Sequence, residues 1–287
     1  MKASNIFSLV LILAVLTGMV YVFSDNSSTG TKKPVAENNG NENNGELLQT
    51  LEIATVSTEG PVTVTPISHA AMVLEWNETT IYVDPVGGAE QFTNSASPDI
   101  ILVTDIHGDH LDTATLETIA TIDTTIIAPQ AVYDELSETL QLQTTILANE
   151  ETTGIGAFTI AGVAMYNLPE NKPDSKHVKG RGNGYVIDDE SFRVYIAGDT
   201  EATEEFRAME NIDVAFVPMN LPYTMDEIQA AVGVAQMNPA VVFPYHFRTP
   251  EGFSDVYEFK EKLAMLNTNV QVKILDWYKD TNEDTTR

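Results

Sequence analysis

The stretch Ile100-Ile-Leu-Val-Thr-Asp-Ile-His-Gly-Asp-His-Leu-Asp112 decides how the rest of the chain is read. Its first four residues form an apolar run, the pattern of a short strand buried on both faces. The run ends in Asp105, His107, Asp109 and His110, two acids and two imidazoles within six positions. Crowding such groups at a strand end is costly unless a positive charge lies between them, and a divalent metal ion is the simplest such charge. All four are therefore candidate ligands. For one isolated Asp or His the plainer reading, a turn former or a polar loop residue, would prevail; here the density of the cluster favours the metal. Asp112 precedes Thr113 to Ala120, a helix-like segment for which it is a good N-cap.

Upstream, Leu51 to Ser57, Val62 to Thr65, Ala71 to Trp76 and Thr79 to Val83 read as successive antiparallel strands, the last two flanking a turn at Asn77-Glu78. Downstream of Ile100 to Thr104, helices are expected at Thr113 to Ala120 and Pro129 to Leu140, around a short strand at Thr125 to Ala128. Further strands are expected at Thr144 to Leu147, Phe158 to Met165, Gly184 to Ile187, Phe192 to Ala197 and Val214 to Val217. Helices at Met225 to Gln236 and Phe253 to Leu266 then alternate with strands at Val241 to Pro244 and Val270 to Leu275. Strands first, then strands alternating with helices, in the same order twice, point to two stacked sheets with helices outside. No internal sequence repeat is visible.

The five histidines, His69, His107, His110, His177 and His246, all fall at the end of an expected strand or in the loop leaving it, and Asp199 follows a strand in the same way. Loops carried by rigid strands are the usual way to bring distant residues to one site. One strand-end His is more often structural than functional; five sharing that placement are not readily explained by chance.

Thr104-Asp-Ile-His-Gly-Asp-His110 resembles the H-x-H-x-D-H signature of the metallo-β-lactamase fold superfamily, with Asp105 where the first His normally stands. Other pieces match in order between Val62 and Leu275: Ser68-His-Ala70, Val83-Asp-Pro85, the lone His177, Ala197-Gly-Asp-Thr200 and Pro244-Tyr-His246. Ser68-His-Ala70 together with Lys179-Gly-Arg-Gly-Asn-Gly-Tyr185 is most similar to the branch that includes L-ascorbate-6-phosphate lactonase, N-acyl phosphatidylethanolamine phospholipase D and many metal-dependent hydrolases.

The resemblance implies an α/β (α+β) fold, a four-layer αββα sandwich with a two-metal site at one edge of the sheets. Carried over by position, metal site one takes Asp105, His107 and His177, site two takes Asp109, His110 and His246, and Asp199 bridges. Two divalent ions in such a site lower the pKa of a bridging water toward ~7, so that hydroxide serves as nucleophile and no Ser or Cys is needed. Zn2+ is the first choice. Asp105 adds negative charge and hardness at site one, making Mn2+ or Fe2+ more competitive there. Asp109 and His69 are the candidate catalytic groups; for His69 and Asp84 the alternative is a role in orienting ligands or fixing a loop.

No Lys or Arg lies between Pro34 and Asn171, after which Lys172, Lys176, Lys179 and Arg181 arrive within ten residues around His177. That cluster favours an anionic small-molecule substrate, with Lys179, Arg181, Asn183 and Asn220 as candidate binding residues. A solvated glycine-rich loop is the equal alternative. A formal charge of −27, from 42 acids against 15 bases, argues against nucleic-acid binding, and the absence of cysteine excludes disulfides, thiolate ligands and a cysteine nucleophile.

Residues 1–24 contain Lys2 and an uncharged apolar run from Ile6 to Phe23, long enough as a helix to span roughly 27 Å. The expectation is export, with this segment a membrane anchor or a cleaved signal peptide. Residues 25–47, rich in Asn, Gly, Ser and Thr, read as a disordered linker, and 48–287 as one hydrolase domain. Two functions from different classes fit: an exported metal-dependent hydrolase acting on a lactone, ester or phosphodiester, and a non-catalytic exported module that keeps the fold to bind a ligand or partner. A true β-lactamase is a weaker third.

Overall fold

The computed structural model describes residues 56–170, 172–267 and 269–279; the expected anchor or signal segment and the linker lie outside them. Alternation builds the first strands. In β2 (Val62–Ser68) Val62 and Val64 are fully buried while Thr63 and Thr65 between them are half-buried, so one face of the strand looks into the core. With β1 (Ser57–Glu59), β3 (Ala71–Trp76) and β4 (Thr79–Val83) it forms an antiparallel meander. From β4 the sheet continues in parallel through β5 (Ile100–Leu102), β6 (Thr125–Ala128) and β7 (Thr144–Ile146). The residues of β5 are all buried, because parallel strands covered on both faces need apolar side chains on both.

The second sheet repeats this plan without any repeat in the sequence. Strands β8 (Thr152–Ile155), β9 (Phe158–Met165), β10 (Gly182–Asp188) and β11 (Arg193–Ile196) are antiparallel. From β11 the sheet runs parallel through β12 (Val214–Pro218), β13 (Val241–Tyr245) and β16 (Gln271–Val272). Between β13 and β16 a two-residue hairpin pair, β14 (Arg248–Thr249) and β15 (Gly252–Phe253), stands apart.

The main core includes Val64, Leu74 and Trp76 from the first sheet and Ile160, Tyr185 and Ile196 from the second, with the Trp76 ring 5.0 Å from Phe158. The outer face of the first sheet packs Val73, Ile101, Val103 and Ile126 against Leu116 of α1 (Thr113–Ile119), Val132 of α2 (Gln130–Tyr133) and Leu140 of α3 (Glu138–Gln141). Over the second sheet, Phe206 of α4 (Glu204–Arg207), Ala230 and Val234 of α5 (Glu227–Met237) and Phe259 and Leu263 of α6 (Val256–Leu266) join the main core. The layers are helix, sheet, sheet, helix, as expected.

Several boundaries differ from the sequence reading. The helix expected over Pro129 to Leu140 is two single turns, because the chain tightens between them: Glu135 and Leu136 donate to carbonyls three residues back. Strand β8 was not anticipated, and the expected strand Val270 to Leu275 shrinks to two residues. Helices α5 and α6 begin later than expected, since Asp226 closes a capping box with Gln229 and Asp255 caps Tyr257 and Glu258. Among the described residues no helix is long and apolar enough to cross a membrane.

Candidate metal centre

Topology brings the sequence-predicted ligands together. Strands β4, β5 and β6 run parallel, and β2 shares their direction because two antiparallel steps separate it from β4. In the second sheet β9 likewise runs with β11, β12 and β13. The residues just past the carboxyl ends of these strands are His69 after β2, Asp84 after β4, Asp105 to His110 after β5, Asp199 after β11, Asn220 after β12 and His246 after β13. His177 lies on the loop that leaves β9. One edge of the sandwich therefore collects all five histidines, as open α/β sheets collect ligands at strand carboxyl ends.

Two groups of potential ligand atoms form there: Asp105, His107 and His177, and Asp109, His110 and His246. Asp199 reaches both. Its Oδ2 is 3.5 Å from His110 Nε2 and 3.3 Å from His177 Nε2, and its Oδ1 is 3.4 Å from His246 Nε2. Asp109 Oδ2 lies 3.3 Å from His246 Nε2. Two donors bound at the usual zinc distances in tetrahedral geometry stand ~3.4 Å apart, so these spacings suit atoms that share an ion. His110 Nε2, His177 Nε2 and Asp199 Oδ1 are also buried without a hydrogen-bond partner, a costly arrangement that an ion would resolve. Nitrogen and carboxylate donors with no sulfur fit Zn2+, Mn2+ or Fe2+.

The protein's own charges prepare this cluster. Burial alone would raise the Asp199 carboxyl pKa, but His246 and His110 outweigh it and hold the group well below the usual range. Burial pulls His110 down, and Asp199 and Asp84 together push it well above its ordinary value. Asp109 stays ionised because His246 and His110 overcome its desolvation.

Behind the candidate ligands stand residues that hold them in place. His110 Nδ1 is 2.8 Å from Asp84 Oδ2, and Asp84 also accepts from Thr104 N and Thr104 Oγ1, both at 2.7 Å. Asn167, which the sequence did not single out, accepts the His177 backbone N–H at 2.9 Å and donates to the Tyr223 carbonyl at 2.7 Å. Tyr245 Oη accepts from Gly198 N at 2.9 Å, next to Asp199. Gly198 has φ 65, and a Cβ there would fall 2.6 Å from Met165 Sδ, so a side chain is disfavoured both by backbone conformation and by contact. His69, Asp84 and His246 themselves adopt left-handed backbone with φ of 51, 44 and 45, a conformation that costs energy and recurs at functional sites, although turn residues such as Asn77 and Glu150 share it in this protein.

Asp105 behaves differently from the other carboxylates. It is fully buried, and Arg181 grips it with both arms, Nε to Oδ1 at 3.1 Å and Nη2 to Oδ2 at 2.8 Å. His107 Nδ1 sits 2.8 Å from the same Oδ2, a hydrogen-bond distance and not a shared-ion spacing. Desolvation would raise the Asp105 pKa, but His107 and Arg181 bring it below the ordinary value.

The other expected binding residues already have partners within the protein. Lys179 meets Glu205 at 2.6 Å and Glu170 at 3.5 Å. Asn183 is fully buried, accepts from Asn149 Nδ2 at 2.6 Å and donates to the Leu147 carbonyl at 2.7 Å. Asn220 is buried with Nδ2 3.4 Å from His246 Nε2, and its Oδ1 accepts from Thr224 Oγ1. Neither these three nor Arg181 lines the cleft of about 750 Å³ that opens beside site two. Its walls include His69, Gly87, Asp109, Asp112, Arg248 and Lys279. His69 packs edge-on against His246 and Tyr278, and burial with the neighbouring His246 lowers its pKa to about 4, so it is a neutral imidazole at pH 7.

Comparison with known proteins agrees with this geometry. Residues 63–246 match the family described as the beta-lactamase superfamily domain. A metal-dependent hydrolase of Methanopyrus kandleri is 30% identical over 227 residues, covering 74% of this chain and 96% of the relative. One from Pyrococcus furiosus is 29% identical over 230 residues, covering 74% and 100%. A crystal structure from Parabacteroides distasonis, of a protein named as a metal-dependent hydrolase, superposes with TM-score 0.66 at 34% identity, over 75% of this chain and 94% of the other.

Proposed function

The chain belongs to the beta-lactamase superfamily as a metal-dependent hydrolase, and we propose that it cleaves an anionic small-molecule lactone, ester or phosphodiester with two divalent ions, zinc foremost. The observation that carries this reading is Asp199, whose two oxygens lie within 3.5 Å of three imidazole nitrogens from three different loops. Site two would be formed by Asp109, His110 and His246, site one by Asp105, His107 and His177, with Asp199 between. The branch that includes the ascorbate-phosphate lactonase and the phospholipase D is the favoured placement within the superfamily.

When bound, such ions supply Lewis acidity, polarising a substrate oxygen and making water a competent nucleophile near neutral pH. The rest of the work falls to side chains. Asp109 is 43% exposed at the cleft while its Oδ2 faces His246, so its carboxylate can take a proton from attacking water and pass it to the departing oxygen. His69, neutral and on the same wall, offers a hydrogen bond without adding charge. Among the described residues Arg248 and Lys279 are the cations of this cleft, set against Glu90, Asp109 and Asp112 on its walls, and they are better placed to meet an anionic substrate than Lys179, which two glutamates already engage.

Full-length protein stripped of metal and reloaded with Zn2+, Mn2+ or Fe2+ is expected to hydrolyse at least one member of a panel of anionic lactones, esters and phosphodiesters, and to lose that activity on chelation. Turnover that survives chelation would overturn the metal-dependent mechanism, and no turnover with any ion would leave the non-catalytic binding module as the better reading. Export is a separate proposal, resting on Lys2 and the apolar run Ile6 to Phe23. A reporter that folds only outside the cytoplasm, fused after Arg287, is expected to be active; an inactive fusion alongside an active cytoplasmic reporter counts against export.

A further inference from the structure

Arg181 occupies ground that an ion at site one would need. Site one requires an oxygen of Asp105, and the one nearest His177 Nε2, at 3.9 Å, is Oδ2. That same oxygen already receives Arg181 Nη2 at 2.8 Å, while Nε holds Oδ1 at 3.1 Å. The fork is bidentate, the strongest way for a guanidinium to hold a carboxylate. Nη2 also donates to the Lys176 carbonyl at 2.6 Å and stands 3.5 Å from His107 Nε2, so the charged group lies against two of the three site-one ligands. A divalent ion bound there would sit beside a fixed positive charge. Among the described residues no Lys or Arg is paired with a site-two group, where the facing charges are Asp84, Asp109 and Asp199. The electrical consequence is simple: Asp105 and Arg181 together are neutral, as a histidine at position 105 would be, but their neutrality is internal and leaves no oxygen uncommitted.

We propose that Arg181 is a built-in competitor for the ion at site one, so that the chain fills site two first and admits a second ion only as the guanidinium gives up Asp105. The proposal rests on the reading of the centre as two metal positions. The Arg181 side chain has solvent to turn into once it gives up Asp105. Gly180 before it has φ 85 and open space around its α-carbon, and the Arg181 side chain is 23% exposed at the rim of the centre. The rival role is that of an anchor: by tying Asp105 to Lys176, Arg181 would steady the loop that carries His177 and so help the second ion to bind. The two roles predict opposite signs.

The test is calorimetric Zn2+ titration of metal-stripped full-length protein, with elemental analysis after desalting, for wild type, Arg181→Gln, Arg181→Lys and the double variant Asp105→His/Arg181→Gln. Wild type is expected to hold one ion tightly and a second at least tenfold more weakly. Arg181→Gln is expected to tighten the second ion tenfold or more and leave the first within about twofold. Arg181→Lys keeps the charge but not the fork and is expected to fall between. The double variant, with a neutral imidazole and no competing cation, is expected to bind two ions of similar affinity. A second ion equally tight in wild type and Arg181→Gln, or weaker in Arg181→Gln, would overturn the competitor role while leaving two metal positions standing. A second ion absent from all four proteins would instead overturn site one itself, and the proposal with it.

Discussion

Asp199→Ala is expected to remove metal from both positions and to lower kcat/KM by about a thousandfold or more, equivalent to roughly 4 kcal/mol of transition-state stabilisation. Among the described residues no other contributes to both groups: Oδ2 faces His110 and His177, and Oδ1 faces His246. Without it, site two keeps Asp109, His110 and His246 but loses the anion that offsets ionic charge at the buried side, and the only carboxylate left to site one is Asp105, which Arg181 already holds. Asp199→Asn separates charge from shape, since the amide fills the same volume and can present one oxygen. It is expected to retain the fold and still bind metal at least tenfold more weakly than wild type. Elemental analysis after desalting and kcat/KM at saturating metal measure both effects. An Asp199→Ala protein that keeps two ions per chain, or hydrolyses within tenfold of wild type, would show that Asp199 is not the shared ligand.

Strand ends made this site legible in the sequence. The apolar run from Ile100 to Val103 could be read because a doubly covered parallel strand has no solvent face, so the polar cluster beginning at Asp105 had to emerge at an edge of the sheet. The same logic located His69, Asp199 and His246. Boundaries failed where periodicity outlasts structure: Val132, Leu136 and Leu140 are spaced four apart as on one helix, all are buried, and yet the chain makes two separate turns beneath them. The alternation of apolar residues records which way side chains face, not whether the backbone hydrogen bonds are continuous.

Features that escaped the sequence depend on partners distant in it. Arg181 and Asp105 are 76 positions apart, and each alone has an ordinary reading, a cation on a glycine-rich loop and a carboxylate in a ligand motif. Asn183 gives a similar lesson. Its place between Gly182 and Gly184 suggests a loop polar group, whereas it lies within β10, where Asn149 and the Leu147 carbonyl satisfy its amide in the interior. The left-handed backbone at His69, Asp84 and His246 has only a weak local signal, since Asp and His enter that region more readily than most residues but the surrounding contacts decide where.

Asp84 is the residue whose loss the fold should feel most. It is wholly buried, and its carboxylate takes three bonds, from Thr104 N, Thr104 Oγ1 and the Nδ1 side of His110. Asp84→Ala would strand the Thr104 N–H and hydroxyl proton in the interior and leave His110 Nδ1 only Thr104 Oγ1, at 3.0 Å, in place of a buried carboxylate, at an expected cost of roughly 3 kcal/mol. Asp84→Asn is the more informative change because it keeps the volume and one acceptor for Thr104 N. Its amide N–H2 would face His110 Nδ1, which must then accept a proton bond instead of donating one. The imidazole proton moves to Nε2, the atom 3.5 Å from Asp199 that site two requires as an unprotonated donor. Metal affinity at site two is therefore expected to fall ten- to a hundredfold in Asp84→Asn, the usual effect of losing a carboxylate behind a ligating histidine, with most of the stability retained. Thermal unfolding and zinc titration on the two variants separate the roles: an Asp84→Asn protein with wild-type zinc affinity would mean that Asp84 supports the loop and not the orientation of His110.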